Sequence, residues 1–129
     1  MNEPPRQNSL DLLEPYVQER VERIFAQMQA KGFDPIAYET LRSPERQRWL
    51  FGVGRTHDLG RKPVTWTLHS HHLPDTNGLS KAADVISKSR AWDWPEFFEA
   101  LHGLARAEGM HDCAGGLTWR LEGCHIQWG

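Results

Sequence analysis

The chain has 129 residues, with 17 acidic against 15 basic side chains and a formal net charge of -2. That length suits one domain with a real core, and the near-balance of charge, without any block of one sign, excludes the concentrated Lys/Arg surface that nucleic acid requires. No apolar run approaches the roughly 18 residues of a membrane span, so membrane insertion is not expected; the opening Met1-Asn2-Glu3-Pro4-Pro5-Arg6 lacks the basic and apolar regions of a secretion signal, which points to a protein made and kept in the cytoplasm.

Residues 1–9, rich in Pro, Asn and Glu, read as a flexible lead-in, and residues 10–129 as a single domain. Ser9 is a good N-cap for a helix whose buried face is Val17, Val21, Ile24, Phe25 and Met28, stopped by Gly32. Ile36 to Leu41 alternates as a short strand. Ser43 then caps a second helix with Pro44 at its first position and Glu45 at its positive end, running to about Val53 and ended by Gly54. A polar loop, His57 to Pro63, leads to Val64-Thr65-Trp66-Thr67-Leu68, whose β-branched and aromatic residues predict an extended segment.

Leu73 to Gly78 is a second loop, and Ala82 to Ile86 a strand carrying Asp84. Asp93 is placed to cap a third helix through Trp94, Phe97, Phe98, Leu101 and Leu104, ending at Gly109. After the Gly115-Gly116 turn, Leu117 to Leu121 and His125 to Trp128 read as the last extended pieces. With no βαβ alternation, the pattern predicts an α+β fold: a small, mainly antiparallel sheet flanked by about three helices. Of the six tryptophans, Trp49 and Trp94 fall on apolar helix faces and read as core, while Trp66, Trp119 and Trp128 lie beside the histidine blocks, with packing the first reading and cleft-lining the second.

The chemistry concentrates in Leu68-His69-Ser70-His71-His72, with Asp84 twelve residues after His72 and Glu122-Gly123-Cys124-His125 near the C-terminus. Zinc is held by neutral imidazole nitrogens and carboxylate oxygens, and two histidines with one Asp or Glu leave a fourth place for water, whose proton a nearby carboxylate can take. Histidine alone proves little: His57, His102 and His111 read as surface or hydrogen-bonded partial-core residues. Cys113 and Cys124 lack the spacing of a zinc knuckle and read as free thiols rather than a disulfide, with Cys124 a lesser candidate ligand.

Four blocks in order, from Arg42 to Trp128, carry a family resemblance. Arg42-Ser43-Pro44-Glu45-Arg46-Gln47 with Gly54-Arg55-Thr56, then Ser70-His71-His72, then Ser80-Lys81-Ala82-Ala83-Asp84, and finally Gly115-Gly116-Leu117-Thr118-Trp119 with Glu122-Gly123-Cys124-His125, resemble the small zinc peptidases of bacterial peptidoglycan. That family comprises D-alanyl-D-alanine carboxypeptidases and L-alanyl-D-glutamate endopeptidases, including phage endolysins, with a hedgehog-like fold.

The resemblance implies one zinc ion on His72, Asp84 and His125, with Glu122 as the general base that activates water and later protonates the leaving amine. It implies that Arg42 faces the scissile carbonyl and stabilises the developing oxyanion, and that Gln47 and Ser70 shape the site or hydrogen-bond substrate. Without the resemblance, Arg42 reads as a surface ion pair. The implied partner is a peptidoglycan stem peptide, cut by a monomer that reaches the wall by release or another export route. Two departures stand out. Eleven residues separate His72 from Asp84, more than is usual in the family, so the loop from Leu73 to Leu79 is enlarged; and Ser80 stands where glycine is usual, with Gly78 a shifted substitute. The Ser-x-His spacing selects His72 over His71. Two other readings accompany the peptidase: a noncatalytic zinc-stabilised module of the same fold, and a cytoplasmic D-Ala-D-Ala dipeptidase.

Overall fold

Val17, Val21, Ile24 and Met28 recur at helical spacing and are fully buried, so the first helix, α1 (Pro15–Ala30), forms by covering this stripe. The computed structural model of the chain describes residues 2–63, 68–111 and 123–129. α1 starts five residues later than Ser9 predicts. Leu10–Leu12 instead make a 3-10 turn, and the chain passes through Leu13 and Glu14 before Pro15 takes the first helical position, where its missing N–H leaves no bond unmade. The intervening residues are committed elsewhere: the Glu14 N–H donates to Ser80 O and the Ser80 N–H to Leu12 O, both at 2.9 Å.

Strand β1 (Pro35–Glu39) ends two residues before the sequence suggests. Thr40 leaves the ladder because its N–H donates to Gln7 O at 2.8 Å and its carbonyl accepts from a histidine ring. Helix α2 (Pro44–Gly52) follows with the predicted cap, the Ser43 hydroxyl accepting from the Arg46 N–H at 3.1 Å. Beyond it Gly54 adopts φ +76, and a Cβ there would stand 2.5 Å from Arg61 O, so this turn requires glycine.

β2 (Ala82–Ser87) is buried along its length, and helix α3 (Pro95–Ala107) follows. Trp94, not Asp93, occupies the N-cap of α3 and makes no side-chain cap; Pro95 starts the helix, and Glu96 in the first turn with Arg106 in the last complement its dipole. β3 (His125–Gln127) closes the described elements. Apart from Leu68, the expected extended segment 64–68 lies outside the described residues, as do the Gly115-Gly116 turn and the segment Leu117 to Leu121.

The three strands form an antiparallel sheet in the order β1-β2-β3, giving the α+β class read from the sequence. Period-two alternation divides the chemistry. Ala83 and Val85 of β2 and Ile126 of β3 join α1 and α3 in one core with Phe97, Phe98, Leu101 and Met110, while Asp84 and His125 fall on the alternate positions. Phe97 is fully buried and meets Phe33 and Phe98 edge-on. Trp94 packs beside this core and Trp49 is buried against the His57 ring; Trp128 lies against Tyr16 and under Arg20. Replacing Phe97 with Ala is expected to cost about 3–5 kcal/mol, read as a lowered urea midpoint, whereas the exposed Glu99→Ala stays within about 0.5 kcal/mol.

Candidate metal centre

Register assembles the site. Asp84 of β2 stands opposite His125 of β3 and opposite Glu39 of β1, where the β1 pairing is irregular between Ala37 and Glu39, so one row of the sheet carries two carboxylates and an imidazole. His72 reaches the same row from the preceding loop, whose backbone is pinned on both sides: the Arg42 N–H donates to His72 O at 2.8 Å and the Lys81 N–H to His71 O at 3.1 Å.

His72 Nε2, Asp84 Oδ1 and His125 Nδ1 lie 3.2 Å from one another in all three pairs. Ligand atoms on a tetrahedral zinc with bonds of about 2.0–2.1 Å stand about 3.3 Å apart, so the triangle fits that ion. The outer ring nitrogens confirm the polarity of the inner ones. His72 Nδ1 donates to Thr40 O at 2.6 Å, and His125 Nε2 donates to Gln127 Oε1 at 2.8 Å, while the Gln127 amide nitrogen donates to Gly129 O and so fixes which way the amide faces. Both histidines therefore turn a lone pair toward the Asp84 oxygen, and three electron-rich atoms this close need a cation among them. His72 and Asp84 are buried, and the His125 side chain is 28% exposed. Among the described residues these three could hold a metal ion.

Without metal, Asp84 and His125 shift each other's titration. Burial works against charge on Asp84, but its interactions with His72 and His125 outweigh this and hold the carboxyl well below its ordinary range. Burial likewise opposes protonation of His125, and the hydrogen bond and charge of Asp84 overcome it, raising the ring's pKa. Burial lowers the pKa of His71, with help from the charges of His125, Lys81 and His72. Cys124 does not join the group of ligand atoms formed by His72, Asp84 and His125 among the described residues, and burial with the nearby Asp84 charge pushes its metal-free thiol up.

The other predicted residues surround the triangle. Arg42 is nine-tenths buried, its Nη1 donating to Gln47 Oε1 at 2.7 Å and its Nη2 to Glu39 Oε1 at 2.8 Å, with Asp84 Oδ2 3.6 Å from Nη2. It is a buried ion pair rather than a surface one. Its Nε has no hydrogen-bond partner among the described residues. Ser70 turns its hydroxyl inward to accept the His72 N–H at 3.1 Å. Glu122, the expected general base, lies outside the described residues, as does Cys113.

The sequence missed Glu39, Thr40 and Gln127, which hold the predicted residues rather than resemble them. Only Gln127 left a signal, two residues after His125 on one strand face. Glu39 remains charged: burial would raise its pKa, but the hydrogen bonds and charges of Arg42 and Arg46 bring it below its ordinary value. Ser80, at the position usual for glycine, is fully buried and puts its hydroxyl within reach of the carbonyls of Thr40, His71 and Ala82. The enlarged loop is folded on itself. Asp75 Oδ1 accepts the N–H groups of Asn77 and Leu79, Gly78 turns at φ +75, and Asn77 Nδ2 donates to Glu14 Oε1. Beside it an open cleft of about 280 Å³ is lined by His69, Ser70, His71, Leu73, Pro74, Asp75 and Lys81.

No family model matches the chain, and no curated protein sequence matches it. Solved structures do. The L-Ala D-Glu endopeptidase ChiX of Serratia marcescens matches over 93% of this chain and 83% of its own, at 26% identity and a TM-score of 0.55. VanYB in complex with D-alanine-D-alanine matches over 90% of this chain and 71% of its own, at 17% identity and a TM-score of 0.63. A mutant of the vancomycin-resistance D,D-pentapeptidase VanY in complex with Zn(II) matches over 90% and 72%, at 16% identity and a TM-score of 0.62. The resemblance read from the sequence is thus borne out in fold: the chain has the architecture of these peptidases.

The proton-metal competition has a definite sign. Asp84, with its pKa lowered on folding, stabilises the metal-free protein above about pH 4 and loses this as pH falls through its folded value; His125, with its pKa raised, stabilises below about pH 6.5 and loses this as pH rises through its folded value. The metal-free pair therefore contributes most between these limits, and zinc must expel the His125 proton. Calorimetric titration with zinc at pH 7 in buffers of different ionisation enthalpy is expected to show proton release, with affinity falling on acidification; heats identical in every buffer would contradict this.

Proposed function

We propose that this chain is a zinc-dependent peptidase that hydrolyses peptide bonds in bacterial peptidoglycan stem peptides. The observation that carries the reading is the equal-sided triangle of His72, Asp84 and His125 donor atoms, sited on the fold of D-Ala-D-Ala and L-Ala-D-Glu peptidases. Neighbours of this fold with bound Zn(II) and with bound D-alanine-D-alanine support the choice of ion and of substrate class.

His72, Asp84 and His125 would hold the ion. A zinc ion there supplies Lewis-acid polarisation of a carbonyl and an acidified water. The chain's own residues do the rest. Glu122, three residues before His125 in sequence, takes the proton from the attacking water and returns it to the amine nitrogen as the peptide C–N bond breaks. Arg42, charged and nearly dry, faces the negative charge that develops on the carbonyl oxygen; in so buried a place a guanidinium acts with little screening. Gln47 and Ser70 hold Arg42 and His72 in register through their hydrogen bonds. The cleft beside the enlarged loop Leu73 to Leu79 supplies room for the stem peptide's neighbouring residue.

Purified zinc-loaded protein is expected to release peptide fragments from peptidoglycan, and the mass of those fragments identifies the bond as an endopeptidase or a carboxypeptidase target. Glu122→Gln is expected to keep one zinc per chain and lose about 10²- to 10⁴-fold in kcat. Lysis that continues unchanged in this variant rejects the mechanism, and a wild-type protein that binds zinc yet leaves the wall intact identifies a noncatalytic module.

A further inference from the structure

We propose that Glu39 is the positioning residue of this reaction: it holds Arg42 toward the substrate and off Asp84. The role rests on the reading above, since it presupposes that Arg42 meets the substrate. Arg42 Nη2 lies between two carboxylates, 2.8 Å from Glu39 Oε1 and 3.6 Å from Asp84 Oδ2. A guanidinium so placed closes on whichever carboxylate offers the better pair. Without the Glu39 charge, Arg42 turns to Asp84, which withdraws the arginine from the carbonyl and competes with the ion for the same carboxylate.

Glu39 can resist because it is itself braced. Only 2% exposed, it gives its second oxygen to Arg46 Nε at 2.5 Å, and Arg46 Nη1 is fastened in turn by Glu3 Oε2 and Pro4 O, both at 2.9 Å. The lead-in thus reaches the site through Arg46 and Glu39. It reaches it again through Thr40, whose N–H and hydroxyl bond the carbonyls of Gln7 and Ser9 and whose own carbonyl orients His72. The register supplies the remaining constraint: Glu39 pairs with Asp84 across β1 and β2, so its carboxylate cannot move away along the strand.

The test compares kcat, KM and zinc content of the full chain, zinc-loaded, on purified stem peptides for the wild type, Glu39→Gln, Arg42→Ala and the double variant. Glu39→Gln is expected to lower kcat by about 100-fold at one zinc per chain, and to add nothing to Arg42→Ala, because a positioning residue has no effect once the group it positions is gone. An unchanged kcat in Glu39→Gln, or losses that multiply in the double variant, overturns the role. Should Glu39→Gln fail to fold, Glu39→Asp keeps the charge and retracts it by one methylene; its kcat loss must likewise vanish on the Arg42→Ala background, and an unaltered kcat overturns the role. A wild type that binds zinc but cuts no stem peptide rejects the function together with this role, whereas an active wild type with an indifferent Glu39 rejects the role alone.

Discussion

The register of one short antiparallel sheet is what every part of the site depends on. Pairing Asp84 with His125 on one side and with Glu39 on the other sets three polar side chains in a row on a surface whose alternate residues are locked into the core. A slip of one residue would send Asp84 into the apolar layer and Val85 into the site. Ala83, Val85 and Ile126, packed under α1 and α3, make that slip costly, so the core fixes the chemistry without containing any of it. The helices serve the site through this register.

Electrostatics follow from the same row. Three lone pairs converge at 3.2 Å, and next to them two buried guanidiniums share the buried carboxylate of Glu39. Buried charges survive only when paired and hydrogen-bonded, and here each has its partner: Glu39 accepts from both arginines, Gln47 accepts from Arg42, and Glu3 with the Pro4 carbonyl accepts from Arg46. The outer histidine nitrogens are tied to Thr40 and Gln127, which fixes ring orientation before any ion arrives. Such preorganisation is what electrostatic stabilisation of a developing charge requires, because nothing then has to reorient during the reaction. The lead-in residues Glu3, Pro4 and Gln7 belong to this arrangement and brace it from outside the sheet.

The sequence revealed what is periodic or chemically unusual. The α1 stripe, the Ser43 cap with Pro44 behind it and the apolar face of α3 were legible because each is written in spacing or in residue type, whereas the grouping of His72, Asp84 and His125 came from the family resemblance. Starts and partners were not. Ser9 looked like the cap of α1, yet it precedes a 3-10 turn, and the Glu14-Ser80 and Ser80-Leu12 backbone bonds commit the residues before Pro15 elsewhere. Thr40 looked like strand, but tertiary bonds to Gln7 and His72 draw it out of the ladder. Arg42 read alone as a surface ion pair because its partners, Glu39 and Gln47, become neighbours only when β1 turns into α2. Glu39 drew no attention in the sequence, since pairing with Asp84 across 45 residues leaves no local mark.

The claim on which the account rests is that a single zinc ion binds at one end of the sheet row. A crystal of zinc-loaded protein measured on both sides of the zinc absorption edge tests it directly. One anomalous peak is expected at about 2.0–2.2 Å from His72 Nε2, Asp84 Oδ1 and His125 Nδ1. A peak held by other residues, or no peak in crystals grown with excess zinc, would contradict it.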